Sequence, residues 1–191
     1  MKPAQHSRST QQLTFCRTTG FSLLELMVVI SITLIIITFA APSFGSLISR
    51  SQIDSKANTV FDIFQLARST AISQGKFITL CPSKDGQQCD KQWQLGLMAF
   101  IDNNHDREFS GKDEIITFLP STSSATLHGN QPYFTYSPLG ALKGRMGSIV
   151  SCPSREKLST SVRLLVSQMG RIRTQEKQKQ TNSTCKSAFK Y

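Results

Sequence analysis

Two sets of side chains in this sequence could do chemistry that the rest of the chain does not explain. The first is Glu25, the single charge in the run 21–41, FSLLELMVVISITLIIITFAA, where sixteen of 21 residues are apolar. A carboxylate in a membrane segment costs about 2.5–3.5 kcal/mol on insertion scales. Glu25 must therefore either snorkel from the start of the segment or meet a partner cation. The second set is Gly170-Arg171-Ile172-Arg173, with Lys177 and Lys179 repeating the spacing just after. In an extended segment Arg171 and Arg173 point to one face. A guanidinium is a planar fork suited to phosphate oxygens. The pattern suits a solvated basic edge that discourages strand aggregation, or contact with a nucleic-acid backbone. Such contact would be independent of base sequence and sensitive to salt.

Other candidate chemistry is weaker. Of the five cysteines, Cys16 precedes the apolar run, while Cys81, Cys89, Cys152 and Cys185 follow it. Four cysteines allow three pairings. Cys81 and Cys89 flank a turn containing Asp85-Gly86, which favours a local bridge and leaves Cys152 to pair with Cys185. No Cys-x-x-Cys pair is present, so zinc is not expected. Residues 102–113 look faintly like a calcium loop, but Arg107 and Asp113 stand where an EF-hand has Gly and Glu. A polar hairpin loop is the simpler expectation. His6, His105 and His128 are scattered, and His128 beside Gly129 reads as a turn residue. There is no phosphate-cradling glycine motif. No catalytic residue, cofactor or metal is expected, and the chain does not read as an enzyme.

The elements that would position these groups follow from periodicity. About 20 apolar residues at 1.5 Å rise span a hydrocarbon core of roughly 30 Å, so 21–42 reads as a transmembrane helix. The basic residues before it place 1–20 in the cytoplasm by the positive-inside rule. Pro42 would kink the helix or loosen its hydrogen bonding. Beyond it, Ile53, Ala57, Val60, Phe64, Ala67 and Ala71 recur at helical spacing, giving an amphipathic continuation over 43–75 that ends at Gly75. From Lys76 the period changes to two. Segments 76–80, 93–100, 114–119, 133–137, 147–150 and 161–167 read as short strands of a β-rich head, 76–191. The chain has 191 residues and a formal charge of +10. Residues 141–191 hold eleven bases against Glu156 and Glu176, so the excess positive charge sits mostly in the last quarter. One hydrophobic run excludes a polytopic channel, and the basic balance favours anionic partners.

Gly20-Phe21-Ser22-Leu23-Leu24-Glu25 resembles the processing motif of type IV pilins and pseudopilins. The resemblance implies cleavage after Gly20 by a prepilin peptidase, methylation of the new Phe21 amine, and pairing of Glu25 with the terminal amine of a neighbouring subunit. Residues 1–20 would then be a leader. Further stretches are similar to the FimT/GspH group of minor pilins and pseudopilins. They are Gln65-Leu66-Ala67-Arg68-Ser69, Thr79-Leu80-Cys81-Pro82-Ser83, Trp93 with Gly96 and Phe100, Ser137-Pro138-Leu139-Gly140, and Gly170-Arg171-Ile172-Arg173. The implied fold is α+β, a long N-terminal helix packed on an antiparallel sheet head. The implied partners are other pilins, the inner membrane before assembly and, for FimT-like members, double-stranded DNA taken up in natural transformation. Arg171, Arg173, Lys177 and Lys179 are the DNA-binding candidates. The alternative is a priming or tip subunit of a pilus or a type II secretion pseudopilus with no DNA role. The chain would sit in the inner membrane with a periplasmic head, then in a surface pilus.

Overall fold

The computed structural model describes residues 20–154, 159–175, 178–180 and 185, with backbone alone at 39–43, 46, 159 and 178–180. The chain divides into two compact units, Met1–Ala41 and Pro42–Tyr191. Helix α1 runs Leu23–Gln74, and Pro42 does not end it.

In the first unit the helix is apolar on every side. Phe21, Leu23 and Leu24 are 71–79% exposed, and Met27, Val28 and Ile30 through Ile37 are exposed as well. Its few hydroxyls turn inward on the backbone. Ser31 Oγ donates to Met27 O at 2.8 Å and Thr33 Oγ1 to Val29 O at 2.6 Å. This back-bonding lets Ser and Thr sit in an apolar setting without an unmade hydrogen bond. Among the described residues no helix is long and apolar enough to cross a membrane. The run read as a span continues into residues 39–42, whose side chains lie outside the described residues.

In the second unit the expected stripe is the buried one. Ile53, Ala57, Val60, Phe64, Ala67 and Ala71 are all at most 1% exposed. Gly75, at φ +65°, stops the helix in the left-handed conformation that suits a C′ glycine. The strands that follow are β1 Ile78–Pro82, β2 Gly96–Ile101, β3 Glu114–Pro120, β4 Ala125–Gly129, β5 Phe134–Tyr136, β6 Gly147–Pro153, β7 Ser159–Val166, β8 Ile172–Thr174 and β9 Gln178–Gln180. Pairing is antiparallel throughout. It yields two sheets, ordered β3-β2-β1-β5 and β4-β6-β7-β8, with β9 also on β7.

The head core joins α1 to both sheets. Val60, Phe64 and Ala67 pack with Ile78, Leu80 and Leu97 of the first sheet and with Leu127, Ile149, Leu164 and Ile172 of the second. Phe64 meets Phe134 edge-on, with ring centroids 5.3 Å apart, a favoured aromatic geometry. Lys56 donates from Nζ to Pro120 O at 2.7 Å, and burial lowers its pKa from the ordinary value.

Both bridges expected from the cysteines are present, Cys81–Cys89 and Cys152–Cys185, with Cα separations of 5.6 and 6.0 Å. Cys152 and Cys185 form a small buried cluster with Val150. Two expectations need correction. Residues 125–129 form a strand, and His128 lies in it rather than in a turn. His128 is 6% exposed. It hydrogen-bonds Gln94 Nε2 through Nδ1 at 2.9 Å, and its Nε2 lies 3.3 Å from Thr126 Oγ1. The stretch from Trp93 begins as a short 3-10 turn, Trp93–Leu95, before β2.

Candidate functional site

The two groups of interest belong to different units. Gly20 and Phe21 precede α1, and Glu25 lies in its first turn. All three are exposed. A Cβ added at Gly20 would meet nothing within 4 Å, so this chain itself places no demand on glycine there. Any requirement for Gly20 must come from another molecule that approaches its backbone.

Arg171 and Arg173 flank Ile172, which is 7% exposed and belongs to the head core. Strand alternation then turns both guanidinium groups outward, and both residues are exposed. The register sets Arg173 against Leu165 and Ile172 against Val166. Arg163, two residues along β7 from Leu165, shares that outward face. Spacing along the chain does not group it with the arginines, because only the β7–β8 register brings them together. Lys177 lies outside the described residues. Lys179 falls in β9 opposite Thr160, and its side chain lies outside them too.

The turn that delivers the arginines is held from several directions. Gly170 N donates to Ser167 O at 2.8 Å, Ser167 N to Arg171 O at 2.9 Å, and Arg171 N to Ser167 Oγ at 3.1 Å. Gly170 has φ +75°, and a Cβ there would run into the carbonyl oxygen of Gly140. Both the conformation and the close approach require glycine. Arg68 on α1 donates from Nε to that same Gly140 oxygen at 2.9 Å, and from a terminal nitrogen to Met169 O at 3.4 Å. The buried Tyr136 hydroxyl donates to Gly170 O at 3.2 Å. Burial pushes the Tyr136 phenol well above its ordinary range, and the nearby Arg68 charge opposes this only in part. Leu142 and Gln168 exchange two hydrogen bonds, Leu142 N to Gln168 O at 3.0 Å and Gln168 Nε2 to Leu142 O at 3.1 Å. Arg68, Tyr136 and Gly140 lie 30 or more residues from Gly170 in the chain, and no local motif marks them as its support.

The loop at 102–113 is organised around its own hydrogen bonds. Asp102 is buried, and its Oδ2 accepts from Thr79 Oγ1 at 2.9 Å and from Arg107 N at 3.2 Å. Asp113 Oδ1 accepts from Asn103 N, and Asp106 Oδ1 from Glu108 N. Among the described residues no group of three or more His, Cys, Asp and Glu side chains is placed to hold a metal ion.

Comparison with known proteins bears on both units. Residues 56–170 match the family described as type II transport protein GspH, and residues 16–41 match the prokaryotic N-terminal methylation motif. The GspH match covers more than half of the chain and stops one residue before Arg171. No curated protein matches. Among solved structures, the type IV minor pilin FimU of Pseudomonas aeruginosa is similar in two crystal forms. In one the TM-score is 0.53 at 22% identity, covering 66% of this chain and 90% of that one. In the other it is 0.51 at 22% identity, covering 64% and 92%. The minor pseudopilin EpsH from the type 2 secretion system of Vibrio cholerae aligns at a TM-score of 0.48 and 12% identity, over 64% of this chain and 95% of that one.

Proposed function

We propose a function from one premise: this chain belongs to the GspH family, carries the N-terminal methylation motif, and has the minor pilin fold. It is a minor pilin of a type IV pilus that binds DNA through phosphate contacts and supports DNA uptake in natural transformation. A prepilin peptidase cuts after Gly20. The apolar run 21–42 sits in the inner membrane and then among other pilins, and Glu25 meets the amine of a neighbouring subunit. The role is that of an assembling and binding subunit, not an enzyme.

The observation that carries the DNA reading is the clamped turn. Arg171 and Arg173 point the same way from a backbone anchored through Ile172, Gly170 and Ser167. Pre-positioned guanidinium groups lose little freedom on meeting phosphate oxygens. A gel shift with the full chain in detergent, on two duplexes of unrelated sequence, tests this. Equal retardation of both, weakening steeply with salt, supports it. No retardation at low salt contradicts it.

A second reading has its own support. The GspH match ends at Gly170, so family membership does not extend to the two arginines. A structural priming or tip subunit of a pilus or secretion pseudopilus, with no DNA role, would need only the helix and the core.

A further inference from the structure

The head carries a second cationic site that the sequence reading did not single out. A pocket of about 380 Å³ is lined by Arg107, Gln131, Tyr133, Thr135, Lys143 and Arg145 among others. That volume lies toward the small end of ligand pockets, which run roughly 300–1,000 Å³. The lining holds three cations and no carboxylate. The acids of the neighbouring loop, Asp102 and Asp106, do not line it. Asp102 Oδ2 accepts from Thr79 Oγ1 and Arg107 N, and Asp106 from Asn104 Nδ2 and Glu108 N.

Two of the three cations lie against aromatic rings. Arg107 sits at φ +69°, with its amide bound to the buried Asp102. Its guanidinium donates to Tyr133 Oη at 2.6 Å and lies 4.9 Å from the centre of that ring. Lys143 donates from its backbone to Thr135 O at 2.7 Å, and its Nζ lies 4.6 Å from the centre of the Phe77 ring. Arg145 follows Gly144 and is exposed. Aromatic faces hold the cations in place without neutralising them.

The pocket is tied to the arginine turn. Lys143 follows Leu142, which exchanges two hydrogen bonds with Gln168, three residues before Arg171. Steps of 3.8 Å per residue and about 5 Å across the pair bound the Cα separation of Lys143 and Arg171 at roughly 20 Å. Duplex DNA carries one charge per about 1.7 Å of axis, so one duplex can offer phosphates to both places.

We propose that this pocket binds a second backbone phosphate of the DNA held by Arg171 and Arg173, extending the contact across the edge of β5. This rests on the DNA reading of those arginines. The test compares four full-length chains in detergent on one labelled duplex, at 50 and 200 mM salt. They are the wild type, Lys143→Gln plus Arg145→Gln, Arg171→Gln plus Arg173→Gln, and the charge-preserving Lys143→Arg plus Arg145→Lys. Each lost phosphate contact lowers the slope of log affinity against log salt by about 0.9. Loss of the one phosphate contact that the pocket makes therefore makes the drop in affinity from 50 to 200 mM salt about 3.5-fold smaller than in the wild type. The pocket double variant should show that change with unaltered near-UV circular dichroism, and the charge-preserving pair should bind like the wild type. Wild-type affinity and salt dependence in the pocket variant, with the Arg171/Arg173 variant weakened, overturns the pocket and leaves the arginine site standing. The reverse pattern overturns the arginine site and with it this proposal, leaving the pocket as a separate phosphate contact. A wild type that binds no DNA overturns both.

Discussion

The start of α1 and the turn at 167–171 both present chemistry that finds no partner among the described residues, yet they do so by opposite means. Residues 21–37 are predominantly apolar and exposed in their own unit, and Glu25 is their one charge. Their character is written in consecutive letters and depends on no distant residue. Arg171 and Arg173 are ordinary surface cations as letters. They become a site because Arg68, Tyr136, Gly140 and Ser167 fix the turn beneath them. Apart from Glu25, whose spacing from Phe21 matters, a segment of the first kind tolerates changes that keep its composition. A site of the second kind can be broken from 100 residues away. Substitutions in the two regions should therefore have different signatures.

The largest effect belongs to processing. Gly20→Val should abolish cleavage, while the wild type yields an N-methylated Phe21 by mass spectrometry. An N-terminus at Pro42 would contradict the pilin reading of the first region. The stability of the head should not change, since a side chain at Gly20 meets nothing within 4 Å.

The second region depends on the closure of the head. Cys152→Ser plus Cys185→Ser opens a bridge across a sequence separation of 33. In the chain-entropy model the loss is about 3–4 kcal/mol, and denaturant unfolding measures it. An unchanged midpoint would show that the C-terminal stretch adds nothing to the head.

Gly170→Ala sharpens the contrast with Gly20. It places a methyl against Gly140 O in a left-handed conformation, which should cost about 1–3 kcal/mol. DNA affinity should fall with it. A variant as stable as the wild type would mean that the turn is not clamped.

The smallest effect is a pH slope. The Tyr136 phenol ionises near 10.0 when exposed and higher when folded. Above pH 10 the unfolded state releases that proton first, so stability falls with rising pH, by at most about 1.4 kcal/mol per pH unit. Below pH 10 this group adds no slope. Tyr136→Phe should abolish the alkaline slope. A slope equal in both proteins would assign it to other groups.

The legibility of the molecule follows the same division. The Gly20-Phe21-Glu25 spacing, the buried stripe on α1, the Cys81–Cys89 bridge and most strands rest on short-range patterns and could be read directly, and Cys152–Cys185 followed as the pair left over. Strand β4 could not. It is five residues long, bounded by Ser123-Ser124 and Gly129-Asn130, and its turn-like flanks outweigh the alternation in Ala125–Gly129. The division into two sheets was hidden because register is a long-range property. The alternation of Arg171 and Arg173 was visible. The clamp under them and the pocket joining Arg107 to Lys143 and Arg145 were not, since each gathers residues from separate elements.

The central claim is that Arg171 and Arg173 contact DNA phosphates. The most direct measurement is the salt dependence of duplex binding by the full chain carrying Arg171→Gln plus Arg173→Gln, with Lys177→Gln plus Lys179→Gln as the matched control. The arginine variant should weaken binding to unrelated duplexes alike. It should flatten the slope of log affinity against log salt by nearly two, at about 0.9 per contact. The lysine variant should lose less. An arginine variant with unchanged affinity and unchanged slope would make the turn a solvated edge and the chain a structural subunit.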